Sequence, residues 1–450
     1  MKLAVARSLE RVFRFFHLEP WFRLLVLCVL VGVVAGLGAF AFDRALKFVS
    51  DNVLHGWLFE TGQSEYPYWA LIVIPCVGAL LAGLIAHLFA PEARGHGTDA
   101  VIRAFHRNKG EIRARVPLIK GLCSILTIGS GGSAGKEGPI SQIGAGFGST
   151  LATMLKLSVR DRRLLMLAGV AGGIGAIFKA PLGGALFAAE MLYRDPDFEH
   201  NAVIPGVISS VTAYSVFTAI DGYERILHFE GVSEVTFPSV GGTPLELVHY
   251  AILSLLCAMV AFIFVKILKL LEKKVFDPLP APRLLKPALG GAAVGALAMI
   301  LMLSISPIVI PGQTLGASHP SHIMSGGYGY LQNVIDSALD TTQTDPMISL
   351  KIAAFLFVVV LAKMIATGFT IGSGGSGGLL FPALFLGGLT GAAYAKLQRA
   401  MDEAGWIPHS LAMTPGARAG MILVGMGGVF AACTKTPIAS LVMVSEITGS

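Results

Sequence analysis

Charge is the first thing this sequence has little of. Asp, Glu, Lys and Arg make up 14% of its 450 residues, where soluble domains carry about 25%. That shortage argues against a water-soluble globule. Cysteine is scarce as well. Cys28, Cys76, Cys123, Cys257 and Cys433 each sit in an apolar run, without metal-ligand spacing. They read as buried thiols, and neither a metal site nor a cofactor is expected. The net charge of +6 lies at the flanks of apolar segments. No basic polar face of the kind that binds nucleic acid is present, so no such partner is expected. Nor does a polar domain interrupt the apolar segments between Leu24 and Val444. One continuous membrane body is expected, not a string of soluble domains.

What the chain does have is hydrophobicity and glycine. Its mean hydropathy is +0.70, 54% of its residues are hydrophobic, and it contains 54 glycines. Small residues let membrane helices approach closely and permit helix breaks where backbone must face a ligand. Several apolar segments, among them Pro117–Ile128, Pro181–Leu192 and Met421–Cys433, are well short of the ~20 residues that span a bilayer. Short segments interrupted by Gly and Pro imply half-helices or re-entrant pieces lining a cavity, which points to transport. At the N-terminus, Arg7, Arg11 and Arg14 lie among Phe13, Phe15 and Phe16. This pattern reads as an interfacial amphipathic helix and not as a signal peptide. The N-terminus and Arg94–Lys120 are basic, whereas Asp51–Tyr68 and Ser304–Leu350 contain no Lys or Arg. A cytoplasmic N-terminus with the latter two stretches outside fits that asymmetry.

An internal repeat organises the chain. Ile128–Gly148 reads IGSGGSAGKEGPISQIGAGFG and Ile371–Gly391 reads IGSGGSGGLLFPALFLGGLTG. A second pair follows each, Gly169–Pro181 and Gly425–Pro437. The reading is a single membrane domain over 1–450 with repeat one at about 22–221 and repeat two at about 245–450. Inverted repeats around a midplane site are the common transporter arrangement.

Two enzymatic readings of the glycine-rich motif fail on chemistry. SGGSAGKE at Ser130–Glu137 resembles a P-loop. However, a Walker A motif needs Gly at position 130 and a hydroxyl for magnesium at 137, where a carboxylate would repel phosphate. Ser130, Ser133, Ser373 and Ser376 could suggest an intramembrane serine hydrolase. That mechanism needs one nucleophile beside one base, yet the serine motif is duplicated while Glu137 is not. Anion conduction remains. Gly138-Pro139 and Phe381-Pro382 each place a glycine-rich break before a helix with Pro in its first turn. Free N–H groups and the positive dipole end make such a start an anion site.

With these residues in view, the sequence resembles the CLC family of chloride channels and chloride/proton exchangers, over nearly its whole length. Gly135-Lys136-Glu137-Gly138-Pro139 matches the family's G-K/R-E-G-P motif. Gly378-Leu379-Leu380-Phe381-Pro382 resembles G-x-F-x-P with Leu380 in place of Phe. Gly95-His96-Gly97-Thr98-Asp99 resembles G-S-G-x-P altered at two places. The resemblance implies an all-α integral membrane protein of two repeated, inverted halves with broken and re-entrant helices, and it implies transmembrane chloride transport. It makes Glu137 the gating glutamate, whose carboxylate occupies the anion path until it is protonated or displaced. It places anion binding at His96, Gly97, Lys136, Gly138, Leu379 and Leu380, with Lys136 as electrostatic support and the amides of Leu379 and Leu380 as ligands. Independently, an ionisable residue amid apolar sequence is a functional hypothesis by default; the alternative for Glu137 is a structural pair with Lys136 or another cation.

Two departures bear on mechanism. Where exchangers often carry a proton-transfer glutamate, alignment on Phe178–Pro181 puts Met191, beside Glu190. Methionine cannot relay a proton, which points to weak or absent proton coupling, with an antiporter as the alternative. Pro437–Ser450 resembles the family's third-last helix, so by the resemblance the last two segments and their pathway tyrosine are expected to be absent from this sequence. The expected partners are chloride or other monovalent anions, lipid and, by resemblance alone, a second copy in a homodimer with one pathway per subunit.

Overall fold

A computed structural model describes residues 19–55, 68–193, 200–229, 246–305, 322–339, 345–408, 413 and 415–449. The fold is helical, and the described residues contain isolated bridges but no strand. The stretch read above as repeat one carries α1 (Pro20–Val49), α2 (Tyr68–Phe89), α3 (Gly97–Arg107), α4 (Val116–Gly129), α5 (Glu137–Met154), α6 (Val159–Ile177), α7 (Pro181–Leu192) and α8 (His200–Asp221). The stretch read as repeat two carries α9 (Glu246–Leu270), α10 (Lys286–Ile305), α11 (Tyr328–Leu339), α12 (Pro346–Gly372), α13 (Leu380–Glu403), α14 (Pro415–Thr434) and α15 (Pro437–Thr448). Among the described residues, eight helices are long and apolar enough to cross a membrane, while α4, α7 and α15 are apolar but shorter.

Burial separates the helices by task. Within its apolar window α13 is 94% buried, so it is surrounded by protein, whereas the window of α9 is only 28% buried and turns outward. Glycine allows the tight inner packing. Carbons added at Gly144 of α5 and Gly387 of α13 would run into the carbonyl oxygens of Gly169 and Gly425 respectively. These two crossings are equivalent in the repeat. Each brings two backbones together at a point where any larger residue would force them apart.

The repeat extends further than the sequence motifs indicate. Lys120 lies eight residues before Ile128, and Lys363 eight before Ile371. Both lysines are fully buried. Lys120 Nζ donates to the carbonyls of Ala93 (3.1 Å) and Gly95 (2.6 Å), fixing the loop that enters α3. Lys363 Nζ donates to Ile323 (3.1 Å), Ser325 (2.9 Å) and Gly326 (3.4 Å), fixing the loop that enters α11. Gly95 and Ser325 both take the left-handed conformation, at φ of 66° and 51°. Thus α11 is the counterpart of α3. Moreover, Ile128 and Ile371 line different cavities, as do Gly95 and Ser325.

Two helices lie in stretches without an apolar segment. The basic stretch Arg94–Lys120 contains α3. The Lys- and Arg-free stretch Ser304–Leu350 contains α11. Both helices are short and carry no long apolar run, so the hydropathy signal passes over them. Cys28, Cys123 and Cys257 are buried, Cys76 and Cys433 half-buried, and all five are free thiols. The N-terminal Arg and Phe residues lie outside the described residues.

Candidate functional site

Three glycine-rich loops meet at one point. Gly135 N–H donates to the Gly378 carbonyl (2.8 Å), and Gly378 N–H donates back to Gly135 (2.7 Å). His96 pairs with Gly377 through the backbone. A Cβ at Gly138 would come within 2.8 Å of Gly378 Cα. The starts of α3, α5 and α13 therefore converge, bringing Gly97, Glu137, Gly138, Leu379 and Leu380 together. First-turn N–H groups have no partner within their own helices. Three positive dipole ends on one point favour an anion there.

That place holds a carboxylate. Glu137, the first residue of α5, is 0% exposed. Its Oε1 accepts a hydrogen bond from the Tyr328 hydroxyl. Its Oε2 lies against Gly135, Phe381 and Pro382 at the start of α13, with no hydrogen-bond partner among the described residues. Lys136 does not pair with it. The Lys136 ammonium sits 2.5 Å from Asp43 Oδ1, and Lys47 holds the other oxygen of Asp43 at 2.8 Å. The same ammonium lies over the Tyr328 ring, 4.9 Å from its centroid. The buried ion pair here is Lys136–Asp43, and Glu137 stands outside it.

His96 contributes its backbone to the loop junction, while its ring is tied elsewhere. Nδ1 lies 2.7 Å from Thr98 Oγ1 and Nε2 2.7 Å from Asp99 Oδ2. The bond from His96 holds the Asp99 carboxyl below its ordinary range, against the opposing effect of partial burial. Glu190 and Met191 are not at the junction. The Glu190 carboxylate accepts from the N–H groups of Ile438 (3.3 Å) and Ala439 (3.0 Å) at the start of α15, and Met191 packs on the apolar core. The motif serines close loops: Ser130 and Ser373 donate to the carbonyls of Thr127 and Thr370, Ser376 donates to Ala93, and Ser133 pairs with Thr367.

Two cavities reach toward the junction. One of about 740 Å³ is lined by Gly95, His96, Asp99, Gln142 and the basic residues Arg103, Arg107, Lys109 and Arg113. Another of about 520 Å³ is lined by Asp43, Lys47, Lys136, Ser325, Gly326 and Tyr328. Lys136 faces the smaller cavity and Gln142 the larger. Glu137 lies between them in the chain and faces neither.

Residues 78–450 match the family model described as voltage gated chloride channel. The chain belongs to this family. Among its CLC relatives is the H(+)/Cl(-) exchange transporter ClcA of Vibrio cholerae, 28% identical over 434 residues, 95% of this chain and 82% of the relative. The CLC fold recurs in the crystal structure of a slow cyanobacterial Cl-/H+ antiporter, with a TM-score of 0.73 and 21% identity over 96% of this chain and 90% of that one. A CLC-type fluoride/proton antiporter aligns with a TM-score of 0.71 and 21% identity, over 96% and 92%. With its eight apolar helices, this CLC chain is a multi-pass integral membrane protein. Tyr328 is the site residue that sequence reasoning missed. It lies in none of the three motifs, and the available signal was that Ser325-Gly326-Gly327 occupies the place of Gly95-His96-Gly97 in the repeat.

Proposed function

We propose that the protein moves chloride across a membrane along a path through the loop junction, with Glu137 as its gate. The observation that carries this reading is a fully buried carboxylate at the meeting point of three helix starts. A carboxylate there acts as a tethered competitor for a monovalent anion. Protonation removes its charge and lets it leave. The proposal gives the amides of Leu379 and Leu380, with Gly97 and Gly138, the role of backbone ligands. Chloride is the substrate, and no cofactor is required. The reading extends to a homodimer with a cytoplasmic N-terminus. The resemblance supports the dimer; the exposed Leu182, Ile438 and Leu441 on α7 and α15 offer it an apolar face. Lipid covers the remaining apolar surface.

Exchange of chloride for protons is the second reading, supported by the likeness to the H(+)/Cl(-) exchange transporter of Vibrio cholerae. Against strong coupling stands Met191, which packs on the apolar core where a relay group would be needed. The experiment for both is reconstitution into vesicles with chloride and pH recorded together. Chloride movement above that of empty vesicles is expected. Its absence in folded protein overturns the proposal, and the accompanying pH trace separates channel from exchanger.

A further inference from the structure

We propose that the Tyr328 hydroxyl is a ligand which the Glu137 carboxylate and the transported anion take in turn. The inference rests on the anion-pathway reading above and names a residue outside the family motifs on which that reading was built.

Three contacts hold the Tyr328 ring without help from Glu137. The ring stacks on Phe381, with centroids 3.5 Å apart and planes at 24°. Lys136 lies over it. The loop in front of it is pinned by Lys363 and by the Ser325 N–H, which donates to the Gly131 carbonyl at 3.2 Å. The residue is half-buried and lines the smaller cavity, while its hydroxyl reaches the buried carboxylate. A hydroxyl that donates to one anionic acceptor donates equally to another placed at the same point. When Glu137 is protonated and withdraws, the donor stays where the carboxylate was.

Other charged groups around Glu137 are committed elsewhere. Lys136, Lys47 and Asp43 pair with one another. Lys120 and Lys363 are held by loop carbonyls. His96 and Asp99, on the side of the larger cavity, pair with each other. Among the described residues, Tyr328 is the side chain that hydrogen-bonds the carboxylate. Its bond favours the ionised, closed gate, so removing it lets the gate open in weaker acid.

The test is flux through the reconstituted full chain as a function of pH and chloride. Tyr328→Phe keeps the ring and removes the donor. The midpoint of acid activation should rise by about one pH unit, as expected for one hydrogen bond to a charged group. In a Glu137→Gln background, which has no carboxylate to compete, Tyr328→Phe should weaken apparent chloride affinity roughly tenfold. The proposal requires both results, and failure of either overturns it. Should the Phe variant not fold, 3-fluorotyrosine at position 328 decides alone. Its hydroxyl is a stronger donor, so the midpoint must move to lower pH, and an unmoved midpoint overturns the proposal. If the folded parent moves no chloride, the transport reading fails and this one with it. If the parent does and the variant curves superimpose on it, this proposal fails alone.

Discussion

Glu190 and Glu446 cap each other's helices. Glu190, on α7, accepts the N–H groups of Ile438 and Ala439 that open α15. Glu446, on α15, accepts those of Leu182 (3.1 Å) and Gly183 (2.7 Å) that open α7. Each carboxylate lies nine residues after the Pro that begins its helix, Pro181 or Pro437, so the exchange is symmetric within the repeat. It ties α7 of one half to α15 of the other.

The caps give the first prediction. Loss of a side-chain cap costs about 1 kcal/mol, and a charge at a helix N-terminus adds a few tenths. Glu190→Ala and Glu446→Ala should each lower the melting temperature of the detergent-solubilised protein by a similar amount. A proton relay at Glu190 predicts the opposite pattern, with melting unchanged and proton movement lost. Thermal melts alongside pH-recorded flux separate the two.

Glu137→Gln mimics the protonated gate at nearly constant volume. Chloride flux should remain or increase, its acid activation should flatten, and any proton movement should cease. A structural ion pair would behave differently, because breaking a buried pair costs about 3–5 kcal/mol and would impair expression. With the local pair formed by Lys136 and Asp43, it is Asp43→Asn that should show that loss of yield. Expression yield and flux against pH, measured on both variants, provide the check.

His96→Ser should act through Asp99. The ring holds that carboxyl below its ordinary range, so the contact contributes above the unfolded value of about 3.9 and is lost as pH falls through the lower folded value. The parent should therefore lose stability on acidification to pH ~3 that the Ser variant, lacking the contact at any pH, does not lose. Because Asp99 is 63% exposed, the difference will be small. Freed Asp99 also leaves a bare carboxylate on the larger cavity, so anion flux should fall and selectivity change. Identical melts from neutral to acid pH, with unchanged selectivity, would remove His96 from the pathway.

Backbone dipoles of one sign should pass monovalent anions and reject cations. In a potassium chloride gradient, the reversal potential should therefore lie on the chloride side. A reversal near the potassium equilibrium value would end the chloride reading.

The sequence by itself determined the membrane class and the family, and its local pattern drew attention to the repeat, the glycine loops and Glu137. All of these follow from local pattern: a shortage of charge, helix starts too short to span, and a glycine motif written twice. Only the tertiary structure decided which polar groups meet. Tyr328 reaches Glu137 from a short helix with no apolar run, in a stretch that hydropathy reads as loop. Lys136 finds its counter-ion on α1, far away in the chain. Glu190 keeps the company of backbone N–H groups, which no side-chain pattern can reveal. The motifs are likewise silent on orientation, because a repeat written twice reads identically whether its copies point the same way or opposite ways. Only the folded chain puts the equivalent residues Ile128 and Ile371 on different cavities.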